Sequence, residues 1–289
     1  MKPSPFEYVR PGNLEEALAV LARDPDDSKI LAGGQSLVPM MNFRLARPAR
    51  LVDINRVPGL SGIQEAGGRV VVSTLTRHLA LQETDLPGAL GHLLRRAASH
   101  VGHLPIRTRG TFGGSLAHCD AASEWCLVAR LLDAEMTVRS QARGTRTIAA
   151  ADFFQAVFTT AMEPDEILVS VSLPALGEGY TAGIAEFARR AGDFAIVAAT
   201  AAVRVEDGSV TDARVCLGGV AEVPFRSAAA ERTLLGQPWS PELVTAAAEA
   251  AATEADPPSD AHGDAAYRRD LVRALLPRAL GRPATGAAR

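Results

Sequence analysis

A chain of 289 residues with a net charge of −3 and a pI near 6.1 is long enough to build more than one core. Its charge excludes the basic footprint of a nucleic-acid binder and the polybasic patch of a membrane-surface protein, and no stretch approaches the roughly 18 apolar residues of a membrane span. Three cysteines, Cys119, Cys126 and Cys216, form no CxxC pair and fall short of the four thiolates that an iron–sulfur cluster takes.

The first elements read as a small β-α-β unit. Phe6–Arg10 is a short extended piece. Asn13 is a helix N-cap with Glu16 three residues on, and Leu14, Leu18 and Leu21 carry the helical spacing up to Asp24–Pro25. Ile30–Ala32 reads as a strand that runs into paired glycines, Gly33 and Gly34. A short apolar helix is expected over Met40, Met41, Phe43 and Leu45, and a strand over Arg50–Asn55.

The middle of the chain mixes strands and helices. Residues 59–81 alternate as strands around the hairpin signal Gly67–Gly68, with helices at His78–Gln82 and Ala89–Ser99. His100 and His103 stand three apart with no third ligand at metal spacing, so they read as ordinary helix-terminal histidines. A second glycine pair, Gly113–Gly114, reads as a tight turn. A helix at Ser123–Asp133, a hairpin of Ala134–Arg139 with Arg146–Ile148, a turn or helix start at Ala150–Phe154 and a strand at Ile167–Leu173 follow.

Beyond Gly177 the composition shifts. Gly179–Phe187 reads as a strand, while the alanine run in Ile196–Val205 leaves strand and buried helix both open. Asp207–Gly208 turns into a strand at Val210–Gly218. Helices are expected at Ala228–Leu235, at Pro241–Ala252 with proline at the first position after Ser240, and at Ala265–Leu280. A polar loop covers Glu254–Gly263, and the tail Arg282–Arg289 reads as disordered.

The chemistry concentrates in two stretches. Ile30–Leu37 (ILAGGQSL) and Thr111–Ser115 (TFGGS) each hold paired glycines beside hydroxyl side chains. Glycines let backbone N–H groups approach a ligand closely, successive N–H groups make an anion-seeking nest, and Thr111 and Ser115 can donate hydroxyl hydrogen bonds to phosphate. No GxGxxG occurs at a strand–helix junction, so a Rossmann site is poorly supported. His118, Cys119 and Asp120 invite a nucleophilic triad, but adjacent residues do not converge as triad members do.

Together the two stretches resemble the FAD-binding medium subunit of molybdenum hydroxylases, the family of xanthine dehydrogenase and carbon monoxide dehydrogenase. Further matches are LVDIN around Asp53, SHVGHLPIRTRG before the second motif, PDEILVSVSLP, ARRAGDFA and AAYRRDLVRALLPRAL, in family order along nearly the whole chain. The resemblance implies an α+β fold: a two-part FAD-binding region, with a small β-α-β subdomain (1–58) and a mixed α/β subdomain (59–175), then a C-terminal α+β domain (176–289) of antiparallel sheet and helices. It implies FAD held by Ile30, Leu31, Ala32, Gly33, Gly34, Gln35, Ser36 and Leu37 and by Thr111, Phe112, Gly113, Gly114 and Ser115. Glu124 falls where the family binds the FAD sugar or adenine portion, Leu168 where it packs on adenine, and Val101 at a further cofactor contact. Glu186 stands where some members carry a lysine near the flavin, a departure that bears on redox tuning.

The implied function is an electron-transfer flavoprotein subunit. A large partner subunit would carry the molybdenum cofactor and a small one two 2Fe-2S clusters, in a heterotrimer or its dimer, with no metal or substrate acid or base on this chain. The alternative is a self-sufficient FAD-dependent oxidoreductase with its own pocket. Sparse free thiols and a start, MKPSPFEYVRP, without a signal-peptide core give the cytoplasm as the expected compartment.

Overall fold

The computed structural model describes residues 2–281; the tail at 282–289 lies outside the described residues. The chain opens with β1 (Glu7–Val9), α1 (Leu14–Arg23), β2 (Ser28–Leu31), α2 (Leu37–Asn42) and β3 (Arg50–Asp53). The three strands form a wholly parallel sheet in the order β1-β3-β2. Asn13 caps α1 by accepting the Glu16 N–H at 2.9 Å, and Glu16 reaches back to the N–H of Gly12 at 2.8 Å. Ala17, Leu18 and Leu21 of α1 bury against Val52 and Ile54, the side the leucine spacing selects. The helix expected at Met40–Leu45 sits earlier, at Leu37–Asn42. Arg44 takes a left-handed φ of 58° and ends it, leaving Phe43 and Leu45 exposed.

The middle region contains β4 (Ile63–Ala66), β5 (Arg69–Ser73), α3 (His78–Gln82), α4 (Gly88–His100), α5 (Leu104–Arg107), α6 (Phe112–His118), α7 (Glu124–Leu131), β6 (Glu135–Ser140), β7 (Gly144–Ala149), α8 (Ala150–Phe153), β8 (Phe154–Ala156), β9 (Thr159–Thr160) and β10 (Ile167–Pro174). Two hairpins, β4–β5 and β6–β7, are joined by β10, giving an antiparallel sheet ordered β4-β5-β10-β6-β7. The helices pack on it around Trp125, Phe112 and Phe153, each fully buried. The short α5 and the β8–β9 hairpin carry no sequence periodicity and were not expected.

The last third holds β11 (Tyr180–Phe187), β12 (Val197–Glu206), β13 (Ser209–Gly218), β14 (Phe225–Arg226), α9 (Ala228–Leu234), α10 (Pro241–Glu254) and α11 (Ala265–Leu280). Its antiparallel sheet runs β11-β12-β13-β14. The alanine run lies in β12, paired on both edges by β11 and β13. Ala199, Ala201 and Val203 face the core with α10 and α11, while Ala198 and Ala202 face the core containing α4 and α7. Covered on both faces, the strand reads as continuously apolar, which removes the alternation that marks a strand. Small side chains also let α11 approach: a Cβ on Gly183 of β11 would lie 2.5 Å from the carbonyl oxygen of Ala279. No helix of the described residues is long and apolar enough to cross a membrane.

Candidate functional site

All three strands of the parallel sheet end on one side, the edge where α/β sheets bind ligands. Leu31 and Ala32 leave β2 there, Asp53 and Asn55 leave β3, and Arg10 follows β1. The loop after β2 turns at Gly34, with φ of 71°, a conformation that favours glycine. Gly33 has no room for a side chain: its Cβ would meet the Arg109 carbonyl oxygen at 2.5 Å and Gly110 Cα at 2.7 Å. The first motif therefore touches the segment that leads into the second. Among the described residues, the backbone N–H groups of Gly33, Gly34, Gln35 and Ser36 donate to no acceptor. Four unsatisfied donors in succession are an anion nest.

A cavity of about 600 Å³ opens at this loop, lined by Gly33, Gly34, Gln35, Arg10, Arg77 and Arg109 among others. Arg77 donates to the Asn55 side-chain carbonyl at 2.8 Å and to the Arg109 backbone carbonyl. Burial first, then the charge of Arg109, disfavours its cation. Neither arginine has a carboxylate within ion-pair distance among the described residues, so the wall is cationic. Asp53 is committed elsewhere: Tyr8 and Asn55 hydrogen-bond it, and Arg10 lies 3.8 Å away. Burial would raise its pKa, but those bonds outweigh it and hold the carboxylate ionised. Sequence reasoning passed over Arg77 and Arg109; the only signal was basic residues preceding His78 and Gly110.

The second glycine pair is not a turn. Gly113 and Gly114 lie in the first turn of α6, and Thr111 is its N-cap, its hydroxyl accepting from Gly114 N–H at 3.1 Å. The N–H groups of Phe112 and Gly113 go to the Thr76 and Thr74 carbonyls, both at 2.9 Å, and that of Ser115 to Thr111. The nest expected here is therefore already filled from within the chain. Gly113 is glycine for packing, since a Cβ would sit 1.9 Å from Thr74 Oγ1. Phe112 is buried edge-on to Trp125 with centroids 5.1 Å apart. What this segment leaves half-buried is Gly114 and Ser115, and a Cβ on Gly114 would lie 3.8 Å from Ala32 Cβ. The structure thus brings Ala32–Ser36 and Gly114–Ser115 together.

The remaining expected residues divide. Leu168 is buried in the sheet core. Val101 caps the end of α4 and packs against that core, its carbonyl accepting from Arg107 at 3.2 Å. Glu124 opens α7, its pKa pushed up to about 8 by burial, then by Glu186. Glu186 pairs with His100, Oε1 to Nδ1 at 3.0 Å. His100 thus ends α4, as its position suggested, and also meets a carboxylate on a strand far away in sequence. His100 Nε2 and Glu186 Oε2 are buried with no hydrogen-bond partner among the described residues. Such orphaned groups are costly unless a ligand or water completes them. An open nest beside cationic side chains fits a molecule with a phosphate portion, as FAD has.

Comparison with known proteins agrees. Residues 4–176 match the FAD binding domain in molybdopterin dehydrogenase, and residues 183–282 the CO dehydrogenase flavoprotein C-terminal domain. The chain is 41% identical to the 6-hydroxypseudooxynicotine dehydrogenase complex subunit alpha of Paenarthrobacter nicotinovorans, covering 98% of this chain and 95% of the relative. It is 40% identical to the nicotine 6-hydroxylase medium subunit of the same organism, covering 97% and 98%. Among solved structures, a chain of carbon monoxide dehydrogenase from Hydrogenophaga pseudoflava superposes with a TM-score of 0.93 at 36% identity, covering 97% of each chain. By fold, motif order and these matches, the chain belongs to the FAD-binding medium-subunit family of the molybdenum hydroxylases.

Proposed function

We propose that this chain carries FAD as the electron-transfer subunit of a molybdenum-containing hydroxylase, receiving electrons from the iron–sulfur clusters of a partner and passing them to an external acceptor. The observation that carries the reading is the open nest of Gly33–Ser36 beside Arg77 and Arg109. Those N–H groups would donate to the pyrophosphate oxygens, with the Ser115 hydroxyl facing them from α6. By the family resemblance Glu124 would meet the FAD sugar or adenine portion, and Glu186 would stand near the flavin. Bound FAD supplies the redox chemistry, while the protein positions it and sets its surroundings.

Partners follow from ligand counting and from relatives. Three cysteines cannot supply the four thiolates of even one cluster, so the relay requires another chain. Relatives named as medium subunits or medium chains support a large molybdenum-cofactor subunit and a small iron–sulfur subunit in a heterotrimer or its dimer, and the sparse free thiols support assembly in the cytoplasm. The same reading divides the chain into 1–58, 59–175 and 176–289.

The test separates this from a self-sufficient flavoenzyme. The FAD-loaded chain, mixed anaerobically with substrates of the complex, is expected to keep its flavin oxidised. Addition of the two partner subunits is expected to bleach it. Bleaching of the lone chain would overturn the proposal.

A further inference from the structure

Asn55 follows β3 two residues beyond the last rung of the parallel sheet, where Leu31 pairs with Asp53. This register sets its side chain against the end of β2. The amide Nδ2 donates to the Ala32 carbonyl at 2.7 Å, to Asp53 Oδ1 at 2.6 Å and to the Leu31 carbonyl at 3.4 Å. The amide oxygen accepts from Arg77 at 2.8 Å. Three acceptors on one side and a guanidinium on the other admit one orientation of the amide. Asp53 Oδ1 anchors the residue further by accepting its backbone N–H at 2.9 Å.

The carbonyls of the glycine loop are all taken. Asn55 holds that of Ala32, the Gln35 side chain holds that of Gly33 at 3.0 Å, and the Val38 N–H holds that of Gly34 at 3.0 Å. In a planar trans peptide the carbonyl and the N–H of the next residue point in opposite directions. Each held carbonyl therefore turns one N–H, of Gly33, Gly34 and Gln35 in turn, away from the group that holds it. These are three of the four successive N–H groups that donate to no acceptor among the described residues.

We propose that Asn55 is a positioning residue for the cofactor pyrophosphate: its grip on the Ala32 carbonyl sets the direction of the Gly33 N–H, and Gln35 does the same for Gly34. The proposal rests on the FAD reading above. Asn55 acts through the peptide it grips, because its own donors are already engaged by Ala32, Leu31 and Asp53. Glycine tolerates many backbone conformations, so the peptide leading into Gly33 needs an outside hold to keep one of them. Without the Asn55 donor that peptide can rotate and turn its carbonyl oxygen, a repulsive group, towards phosphate. With it, the donors are aligned before the ligand arrives and binding spends less on ordering them.

The experiment titrates the full-length apo-chain with FAD by flavin fluorescence, and records the 31P signals of the bound pyrophosphate at saturating FAD. Asn55→Asp keeps the oxygen that accepts from Arg77 and removes only the donor to Ala32. It is expected to bind FAD at least about tenfold more weakly, the loss of one hydrogen bond to a charged group. Its bound 31P signals are expected to move from their wild-type positions towards those of free FAD. Gln35→Ala alters an exposed side chain, so it tests the same idea without touching the core. It is expected to weaken binding about threefold, roughly half the free energy of a tenfold loss, with a 31P change in the same direction. Wild-type affinity in Asn55→Asp overturns the proposal. So does weaker binding with wild-type 31P signals in both variants, because the residues would then act through the fold and not through the phosphate donors. FAD failing to bind the wild-type chain overturns the FAD reading and the proposal together, whereas tight wild-type binding that neither variant disturbs overturns the proposal alone.

Discussion

Trp125 donates its indole N–H to Nδ1 of His78 across 3.0 Å, inside the core that joins α3 to α7. That bond fixes the imidazole as the neutral Nε2–H tautomer. Gly110, one residue before the α6 cap, leaves the space that His78 fills, for a Cβ there would sit 2.5 Å from Nε2. The indole, the imidazole and the loop beside Gly33 thus form one line of successive contacts.

Acid should find this line first. Burial, then Arg77 and Arg107, lower the His78 pKa from 6.5 to about 4. The unfolded chain therefore binds more protons than the folded one between those values, and stability falls as pH drops through that window. Between pH 7 and pH 5 the loss due to His78 is expected to be about 2 kcal/mol. Urea unfolding at both pH values, on wild type and His78→Phe, checks it: the variant should lose less by that amount. Equal losses would contradict the assignment.

Gly33→Ala should act on cofactor affinity. Its new methyl meets backbone atoms of Arg109 and Gly110, so the nest and the loop beneath it must separate. FAD affinity is expected to fall about tenfold or more, equivalent to about 1.4 kcal/mol. Gly59→Ala is the control, because nothing lies within 4 Å of that site and only its positive φ is strained. Fluorescence titrations showing equal affinity for Gly33→Ala and wild type would remove the nest from the phosphate site.

At Gly113 the expected effect is on folding itself. A methyl there overlaps Thr74 Oγ1 and lies 2.8 Å from Thr74 Cα, so Thr74→Ala cannot relieve it. A loss of about 3 kcal/mol is expected, the upper end for overpacking. Thr111→Ala, which removes only the α6 cap, should cost about 1 kcal/mol. Melting curves that place the two variants in the opposite order would refute the packing role.

The thiols should be silent in the native protein. Cys119, Cys126 and Cys216 are all buried, and burial raises each thiol pKa, to about 11 for Cys119 and about 12 for Cys216. Thiolate is the reactive form. A chromogenic disulfide reagent is expected to titrate none of them at pH 8 and all three in denaturant; rapid native labelling would be the contrary result.

What could be read from sequence was local. The Asn13–Glu16 capping box and Ser240–Pro241 carry their own short-range chemistry, and both helices start where those residues place them. The first glycine loop was legible because an apolar strand runs straight into it. The second was misread as a turn because glycine pairs seldom lie in helices. The reason for these two, Thr74 against Gly113 and Thr111 under Gly114, is invisible without the tertiary contact. Arg77, Arg109 and the His100–Glu186 pair were hidden likewise, since each acquires meaning from a partner brought near by the sheets.

The position of β10 dictates how the chain can be made. It comes last of the five strands in its sheet yet lies in the middle, between β5 and β6. Until Ile167–Pro174 leaves the ribosome, the β4–β5 and β6–β7 hairpins each present a bare edge, the situation that invites pairing with another chain. Nascent chains stopped just before residue 167 should consequently be captured by chaperones or aggregate, whereas those extending past Pro174 should become protease-resistant in one step.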